Sequence, residues 1–156
     1  MTTTLLFVGK TTDPHIEALN QSYLKRLTHY LPVKVQVIPE LRNTKALTPE
    51  QQKLAEGELI LRSISPNAEL ILLDEHGKEY RSMDFAQVMQ KKMSSGRDLI
   101  FAIGGPYGFS QSVYDRANGK ISLSQMTFSH QIVRLFLIEQ IYRAMTILRG
   151  EPYHHE

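Results

Sequence analysis

The chain has 156 residues, of which 42% are hydrophobic and 22% are charged, and these values predict one globular domain over residues 1–156. The absence of cysteine excludes disulfides, zinc–thiolate sites and thiol nucleophiles, and the net charge of +2 favours neither a nucleic-acid-binding protein nor any other class. No apolar run approaches the length of a signal peptide or a membrane span, so we expect a cytoplasmic protein without a membrane partner.

The first half of the chain alternates between strand and helix patterns. A buried strand is expected at residues 4–8, followed by a helix with Asp13 as its N-cap and Pro14 at its first position. The valines at positions 33, 35 and 37 alternate with polar residues, which predicts a half-buried strand near an edge of the sheet. After a loop, Thr48 begins a capping box and a helix that runs to about residue 64.

The second half continues the alternation. A third strand is expected at residues 70–73, ended by the polar run 74–77, and Ser82 is expected to cap a helix that stops at Gly96. The next predicted elements are a strand at 99–103, a short helix near 110–117 and a strand near 121–124. Alternating strands and helices predict the α/β class, a parallel twisted sheet with helices on both faces.

The final predicted helix, about residues 130–149, is apolar on nearly all sides and stops at Gly150. Such a helix must be buried on nearly all sides. We therefore expect a homodimer in which a second subunit covers part of it, the alternative being a central helix in a monomer core.

Two loops rich in small and hydroxyl-bearing residues, 104–108 and 122–130, each follow an apolar strand. Ligands of open α/β sheets bind where such loops leave the carboxyl ends of strands. The glycine loop matches neither a P-loop nor a dinucleotide-binding fingerprint, so a simple tight turn remains an alternative to a ligand site.

The end of the chain carries further polar candidates. Glu139 and Arg143 stand four residues apart in the final helix, which predicts a surface ion pair, and an arginine in so apolar a helix needs a partner or a solvent-exposed edge. The following residues, 150–156, would ordinarily be a frayed terminus. Their two adjacent histidines do not predict a metal site, since neighbouring residues rarely point at one ion.

Three segments together carry a specific resemblance: GGPYG at 104–108, SLSQMTFSH at 122–130 and YRAMTILRGEPYHHE at 142–156. They resemble the SPOUT class of RNA methyltransferases, nearest to its small single-domain members that methylate N3 of a pseudouridine in 23S rRNA. The resemblance covers essentially the whole chain. It implies a deep C-terminal trefoil knot, S-adenosylmethionine as methyl donor without a metal, a homodimer, and 23S rRNA, within the assembled ribosome, as substrate.

The same resemblance implies the site residues. The donor would bind among Leu73, Gly104, Leu123, Ser124, Gln125, Met126, Thr127 and Phe128. The catalytic set would be Arg143, which stabilises negative charge on the target ring, Tyr153, which stacks on a base, and His154, which accepts a proton or orients the ring. His155 stands where relatives usually carry arginine or lysine and is left out of this set.

Two other functions stay open. The chain could be a non-catalytic RNA- or ribosome-binding module that keeps the fold and has lost the donor. It could also be a small-molecule α/β enzyme whose glycine loop binds a phosphate.

Overall fold

In the computed structural model, which describes residues 1–155, five parallel strands form one open sheet in the order β2-β1-β4-β3-β5. The elements are β1 (Thr3–Val8), α1 (Pro14–Leu27), β2 (Val33–Ile38), a 3-10 turn (Thr44–Ala46), α2 (Pro49–Arg62), β3 (Glu69–Glu79), α3 (Ser82–Ser94), β4 (Leu99–Ile103), α4 (Gln111–Arg116), β5 (Gly119–Ser122) and α5 (Ile132–Leu148). The predicted α/β class is confirmed. The trefoil knot and the single domain over 1–156 stay predictions.

Two hydrophobic cores lie on opposite faces of the sheet. Because successive side chains of a strand point to opposite sides, Leu5 and Phe7 of β1 pack under α1, α3 and α5, while Leu6 and Val8 pack under α2 and α4. All four side chains are buried, as the apolar run of β1 predicts for a strand covered on both faces.

Local signals predicted two of the helix starts correctly. The Asp13 carboxylate accepts a hydrogen bond of 2.8 Å from the backbone N–H of His15, and Thr48 and Gln51 form a reciprocal capping box. The prediction for Ser82 was wrong. Arg81 occupies the cap position without a side-chain bond, and the Ser82 hydroxyl donates instead to Gln140 on α5 at 3.4 Å.

The strand β3 does not stop at Leu73 as predicted but continues to Glu79. Both Leu73 and Lys78 pair with Ile121 of β5, so the residues between them form a bulge. A Cβ atom at Gly77 would lie 2.6 Å from the carbonyl carbon of Ile121, so only glycine allows the two backbones to pass this closely. We name residues 74–77 the β3 bulge.

The structure differs from expectation at the surface. The strand β2 lies at a sheet edge as predicted, but Val35 and Val37 are 36% and 39% exposed because that edge is only partly covered. The helix α5 packs between α1 and α3, which bury one side of it, while Phe136 on the other side is 39% exposed. Burial on nearly all sides is therefore not reached within one chain. No helix among residues 1–155 is long and apolar enough to cross a membrane.

Candidate functional site

The carboxyl ends of β3, β4 and β5 meet around a cavity of about 370 Å³, which we name the loop cavity. Its walls come from residues 73–76, from 103–109 and from the loop that follows β5, and Tyr114, His130 and Val133 complete it. A cleft of this size that combines apolar walls with several polar side chains is typical of a small-molecule site. The arrangement places it where open α/β sheets bind ligands.

Seven of the eight residues expected to hold the donor line the loop cavity: Leu73, Gly104, Leu123, Ser124, Met126, Thr127 and Phe128. Gln125 does not line it. Met126 lies at the rim of this cavity with 75% of its surface exposed. The two loops identified in the sequence are thus brought together with the end of β3.

The glycines of the 104–108 loop are required by close packing. A Cβ atom at Gly104 would lie 3.2 Å from the ring of Phe109 and 3.3 Å from the carbonyl oxygen of Gly108. At Gly105 it would lie 2.8 Å from a carboxylate oxygen of Glu56, a buried residue of α2. The loop closes on itself with a 3.1 Å hydrogen bond from the Gly108 N–H to the Gly105 carbonyl. The glycine loop is therefore both a tight turn and a wall of the loop cavity.

Internal hydrogen bonds shape the loop that follows β5. The Ser122 hydroxyl donates to the Ser124 carbonyl at 2.7 Å, and the Ser124 hydroxyl accepts from the backbone N–H of Met126 at 3.0 Å. The Thr127 hydroxyl donates to Glu75 of the β3 bulge at 2.7 Å. The hydroxyl-rich composition of this segment thus fixes its backbone and links it to β3.

The β3 bulge adds an acidic wall that the sequence analysis missed. Asp74 accepts hydrogen bonds from the backbone N–H of His76 at 2.8 Å and from the hydroxyl of Tyr114. Burial alone would raise the pKa of Asp74, but these hydrogen bonds and the positive charge of Lys120 outweigh it and lower the pKa. Asp74 is therefore a carboxylate at neutral pH. Burial and this carboxylate in turn raise the pKa of Tyr114, which keeps its proton.

His130 is a second cavity residue outside the predicted set, although it ends the SLSQMTFSH segment that the sequence analysis singled out. Burial and the neighbouring charge of Arg134 lower the pKa of His130. The imidazole is therefore neutral at pH 7. It offers the cavity one hydrogen-bond donor and one acceptor.

Arg134 fastens α5 to the end of β1. Its side chain is fully buried and donates to the carbonyls of Val8, Gly9 and His130 at 2.9, 3.0 and 2.9 Å. A fourth bond, of 3.0 Å, goes to the hydroxyl of Thr11. These bonds satisfy a buried guanidinium that would otherwise be very costly. They also hold the first turn of α5, and with it His130, against the sheet.

A second and larger cavity, of about 610 Å³, lies on the α1–α3–α5 side of the sheet, and we name it the helix cavity. Its walls are mainly apolar, with Leu19, Tyr80, Phe85, Leu135 and Phe136 among them. The two cavities are neighbours, since both are lined by Ser122, Leu123 and Phe128.

The three expected catalytic residues form one cluster beside the helix cavity. The guanidinium of Arg143 lies 4.8 Å from the ring centroid of Tyr153 and donates to Nδ1 of His154 at 3.1 Å. Arg143 also forms an ion pair of 2.7 Å with Glu139, to which the Tyr153 hydroxyl donates at 3.0 Å. Burial and hydrogen bonds to Tyr23 and Glu139 raise the pKa of Tyr153.

The segment after α5, residues 151–155, which we name the tail, is therefore docked and not frayed. Its Tyr153 ring packs edge-on against Tyr142 of α5 at 4.8 Å. Arg143 lines the helix cavity, however, and none of Arg143, Tyr153 and His154 lines the loop cavity. Within one chain the expected donor residues and the expected catalytic residues thus lie in two separate places. Among residues 1–155 no group of three histidine, aspartate or glutamate residues is placed to hold a metal ion.

Comparison with known proteins places this architecture in a family. The sequence model described as "Predicted SPOUT methyltransferase" matches residues 1–154. A Bacteroides fragilis protein named ribosomal RNA large subunit methyltransferase H is 57% identical over the full length of both chains. Proteins of the same name from Bacteroides thetaiotaomicron and Flavobacterium johnsoniae are 55% and 54% identical over at least 97% of each chain.

A solved structure of a probable methyltransferase from Bordetella pertussis superposes with a TM-score of 0.58, covering 92% of this chain and 93% of that one. At 9% identity this likeness concerns the fold alone. The full-length family match and the identities above 50% go further: the chain belongs to the SPOUT methyltransferase family.

Proposed function

We propose that this protein is an S-adenosylmethionine-dependent methyltransferase of large-subunit ribosomal RNA, and that its target is N3 of a pseudouridine. The observation that carries the proposal is the loop cavity, which gathers seven of the eight expected donor residues in a chain 57% identical to a named rRNA methyltransferase. The proposal includes a single domain over residues 1–156 acting in the cytoplasm.

The loop cavity fits the chemistry of this donor. Leu73, Leu123 and Phe128 offer apolar contact for an adenine ring, and backbone groups of the glycine loop offer hydrogen bonds to its polar edge. S-adenosylmethionine, when bound, supplies an electrophilic methyl group on a sulfonium. The protein contributes mainly by positioning two reactants in line, which can lower the barrier by roughly 7–11 kcal/mol.

The residues of the Arg143 cluster would serve the RNA side of the reaction. The N3 position of pseudouridine carries an imide proton that must leave. Arg143 can stabilise the negative charge that develops on the ring oxygens, and the ring of Tyr153 can stack on a base.

His154 would orient the target and not accept its proton. Its Nδ1 accepts a hydrogen bond from Arg143, so a neutral imidazole carries its proton on Nε2 and presents an N–H donor. Proton acceptance at Nδ1 would first require Arg143 to withdraw. Arg143 and His154 thus act as a pair that orients the target ring. The imide proton of N3 passes to solvent or to an RNA group next to the target.

A homodimer would unite the two halves of the site. None of Arg143, Tyr153 and His154 lines the loop cavity of its own chain. Leu19 and Phe136 leave apolar surface exposed beside the helix cavity. Packing two copies across this surface would cover it and bring one subunit's tail near the other's donor. The rRNA would be bound within the assembled ribosome.

Isothermal titration with S-adenosylmethionine tests the donor assignment. We expect micromolar binding. Binding of inorganic phosphate in place of the donor would support a small-molecule enzyme, and binding of rRNA without the donor would support a non-catalytic module.

Mixed dimers test the shared site. One chain lacks residues 151–156 and the other carries Gly104→Val, so that each is inactive alone. If tail and donor meet across the interface, the mixed dimer has one intact site in two and regains about half the activity. Verified heterodimers without activity would place both halves in one subunit.

A further inference from the structure

We propose that Asp74, held in place by Tyr114, binds the sulfonium group of the methyl donor and thereby makes the site distinguish the donor from its product, S-adenosylhomocysteine. The inference rests on the proposed function and adds a specificity-determining residue to it.

The position of Asp74 follows from the β3 bulge. The residue stands directly after Leu73, where β3 leaves its register with β5, and it lines the loop cavity together with Tyr114. One carboxylate oxygen accepts from the backbone N–H of His76 and the other from the Tyr114 hydroxyl. A carboxylate has about four acceptor positions, so this one keeps capacity for a ligand while both oxygens are fixed.

The acidic residues of the loop cavity have no lysine or arginine beside them among its described lining residues, although the positive charge of Lys120 acts on Asp74 from outside that lining. These acids are Asp74 and Glu75. Glu75 is less suited to read a charge, since its side chain is 45% exposed and it accepts the hydroxyl of Thr127. Asp74 is half-buried and held by two donors, so solvent and salt screen its charge less.

The donor and the product differ in charge. S-adenosylmethionine carries a sulfonium, an ammonium and a carboxylate, and its net charge is positive. When the methyl group leaves with the transfer, the sulfonium becomes a neutral thioether, and the product is neutral overall. A fixed carboxylate in the cavity therefore favours the donor over the product and aids product release.

Titration of the wild type and the Asp74→Asn variant with three ligands tests this. The ligands are S-adenosylmethionine, S-adenosylhomocysteine and sinefungin, an analogue that bears an amine in place of the methylated sulfonium. Because the variant loses the negative charge that faces the cation, it should bind the two cationic ligands at least about tenfold more weakly, a loss of about 1.4 kcal/mol. S-adenosylhomocysteine should change by less than about twofold.

Two further variants serve as controls. Tyr114→Phe releases one carboxylate oxygen and should weaken the cationic ligands selectively but by a smaller factor. Glu75→Gln removes the exposed carboxylate of the same cavity and should leave the preference for donor over product unchanged. If Asp74→Asn fails to fold, Tyr114→Phe tests the proposal instead, and a loss of preference for the cationic ligands in that variant would support it.

Equal weakening of all three ligands by Asp74→Asn would show a merely structural role and overturn the proposal, as would no weakening at all. A wild-type protein that binds neither donor nor product would instead refute the proposed function itself. The two failures are therefore distinguishable.

Discussion

Arg143 and His154 are joined by a hydrogen bond of 3.1 Å in which the guanidinium donates to Nδ1 of the imidazole. This bond brings the last described residues of the chain back onto α5, the helix that precedes them. Glu139 completes the arrangement by accepting from both Arg143 and Tyr153. The tail is thus held in a defined geometry before any substrate binds.

Removal of residues 151–156 should separate donor binding from methylation. The donor should bind with unchanged affinity, because no residue between Val133 and position 155 contributes to the lining of the loop cavity. Methylation of the pseudouridine should fall by at least about 100-fold, the lower range for the loss of one preorganised hydrogen-bond donor. Titration and a methylation assay on the same preparation check both expectations.

The same truncation should lower stability, whereas the sequence alone predicts little cost. Tyr153 packs against Tyr142 and bonds to Tyr23 and Glu139, so its loss should cost about 1–3 kcal/mol. Tyr153→Phe is the matched control, since it keeps the ring and removes the hydroxyl. A truncated chain with full activity would contradict the role of the tail.

A charge at the exposed apolar surface should dissociate the homodimer. Leu19 and Phe136 are 49% and 39% exposed beside the helix cavity, so Leu19→Asp and Phe136→Asp should give folded monomers in sedimentation at micromolar concentration. Ile141→Asp is the contrasting variant. Ile141 is fully buried within its own subunit, so that charge should unfold the chain. A wild type that sediments as a stable monomer would refute the dimer.

Gly104→Val should abolish donor binding in a folded protein. The new side chain would press on Phe109 and on the Gly108 carbonyl and deform the wall of the loop cavity. Gly96→Ala is the control, because Gly96 also resists substitution, with φ at +73°, but lies outside both cavities. Unchanged affinity in folded Gly104→Val would remove this loop from the donor site.

Glu56→Gln should stabilise the protein at neutral pH. Burial, followed by the nearby charge of Glu40, raises the pKa of Glu56, while a hydrogen bond from Gln52 opposes the shift only in part. Since the folded pKa lies above the unfolded one, the contribution of Glu56 to stability is fully present below the unfolded pKa and is lost as pH rises through the folded pKa.

Each unit of difference between the two pKa values is worth about 1.4 kcal/mol. The free energy of unfolding, measured with urea between pH 4 and 8, should therefore fall with rising pH in the wild type more than in Glu56→Gln. Parallel pH profiles for the two proteins would contradict a buried, ionisable Glu56.

Local chemistry made much of the fold predictable. Asp13 and Thr48 start helices through bonds to residues two or three positions away, and the apolar run of β1 predicts a buried strand, which lies between β2 and β4. The sequence analysis did not predict the polar end of β3, because Gly77 and its polar neighbours are typical of a turn. Their pairing depends on the backbone of β5, more than 40 residues later.

The parts of the candidate site that lie in a sequence motif could be predicted, and the parts that only the fold brings together could not. Gly104 and the loop after β5 stand out in the sequence itself. Asp74 and His130 enter the loop cavity only because three strand ends and the start of α5 converge. Likewise, a buried arginine requires hydrogen-bond partners. Arg134 donates to the carbonyl of Val8, 126 positions earlier, and only the tertiary fold brings these two residues together.

The central claim is methylation of N3 of a pseudouridine in large-subunit rRNA. Mass mapping of modified nucleosides in 23S rRNA, from cells with and without this protein, tests it most directly. The account predicts that one 3-methylpseudouridine is lost when the protein is absent and is restored by the wild-type chain but not by the Gly104→Val chain. An unchanged set of methylated nucleosides in rRNA from cells lacking the protein would contradict it.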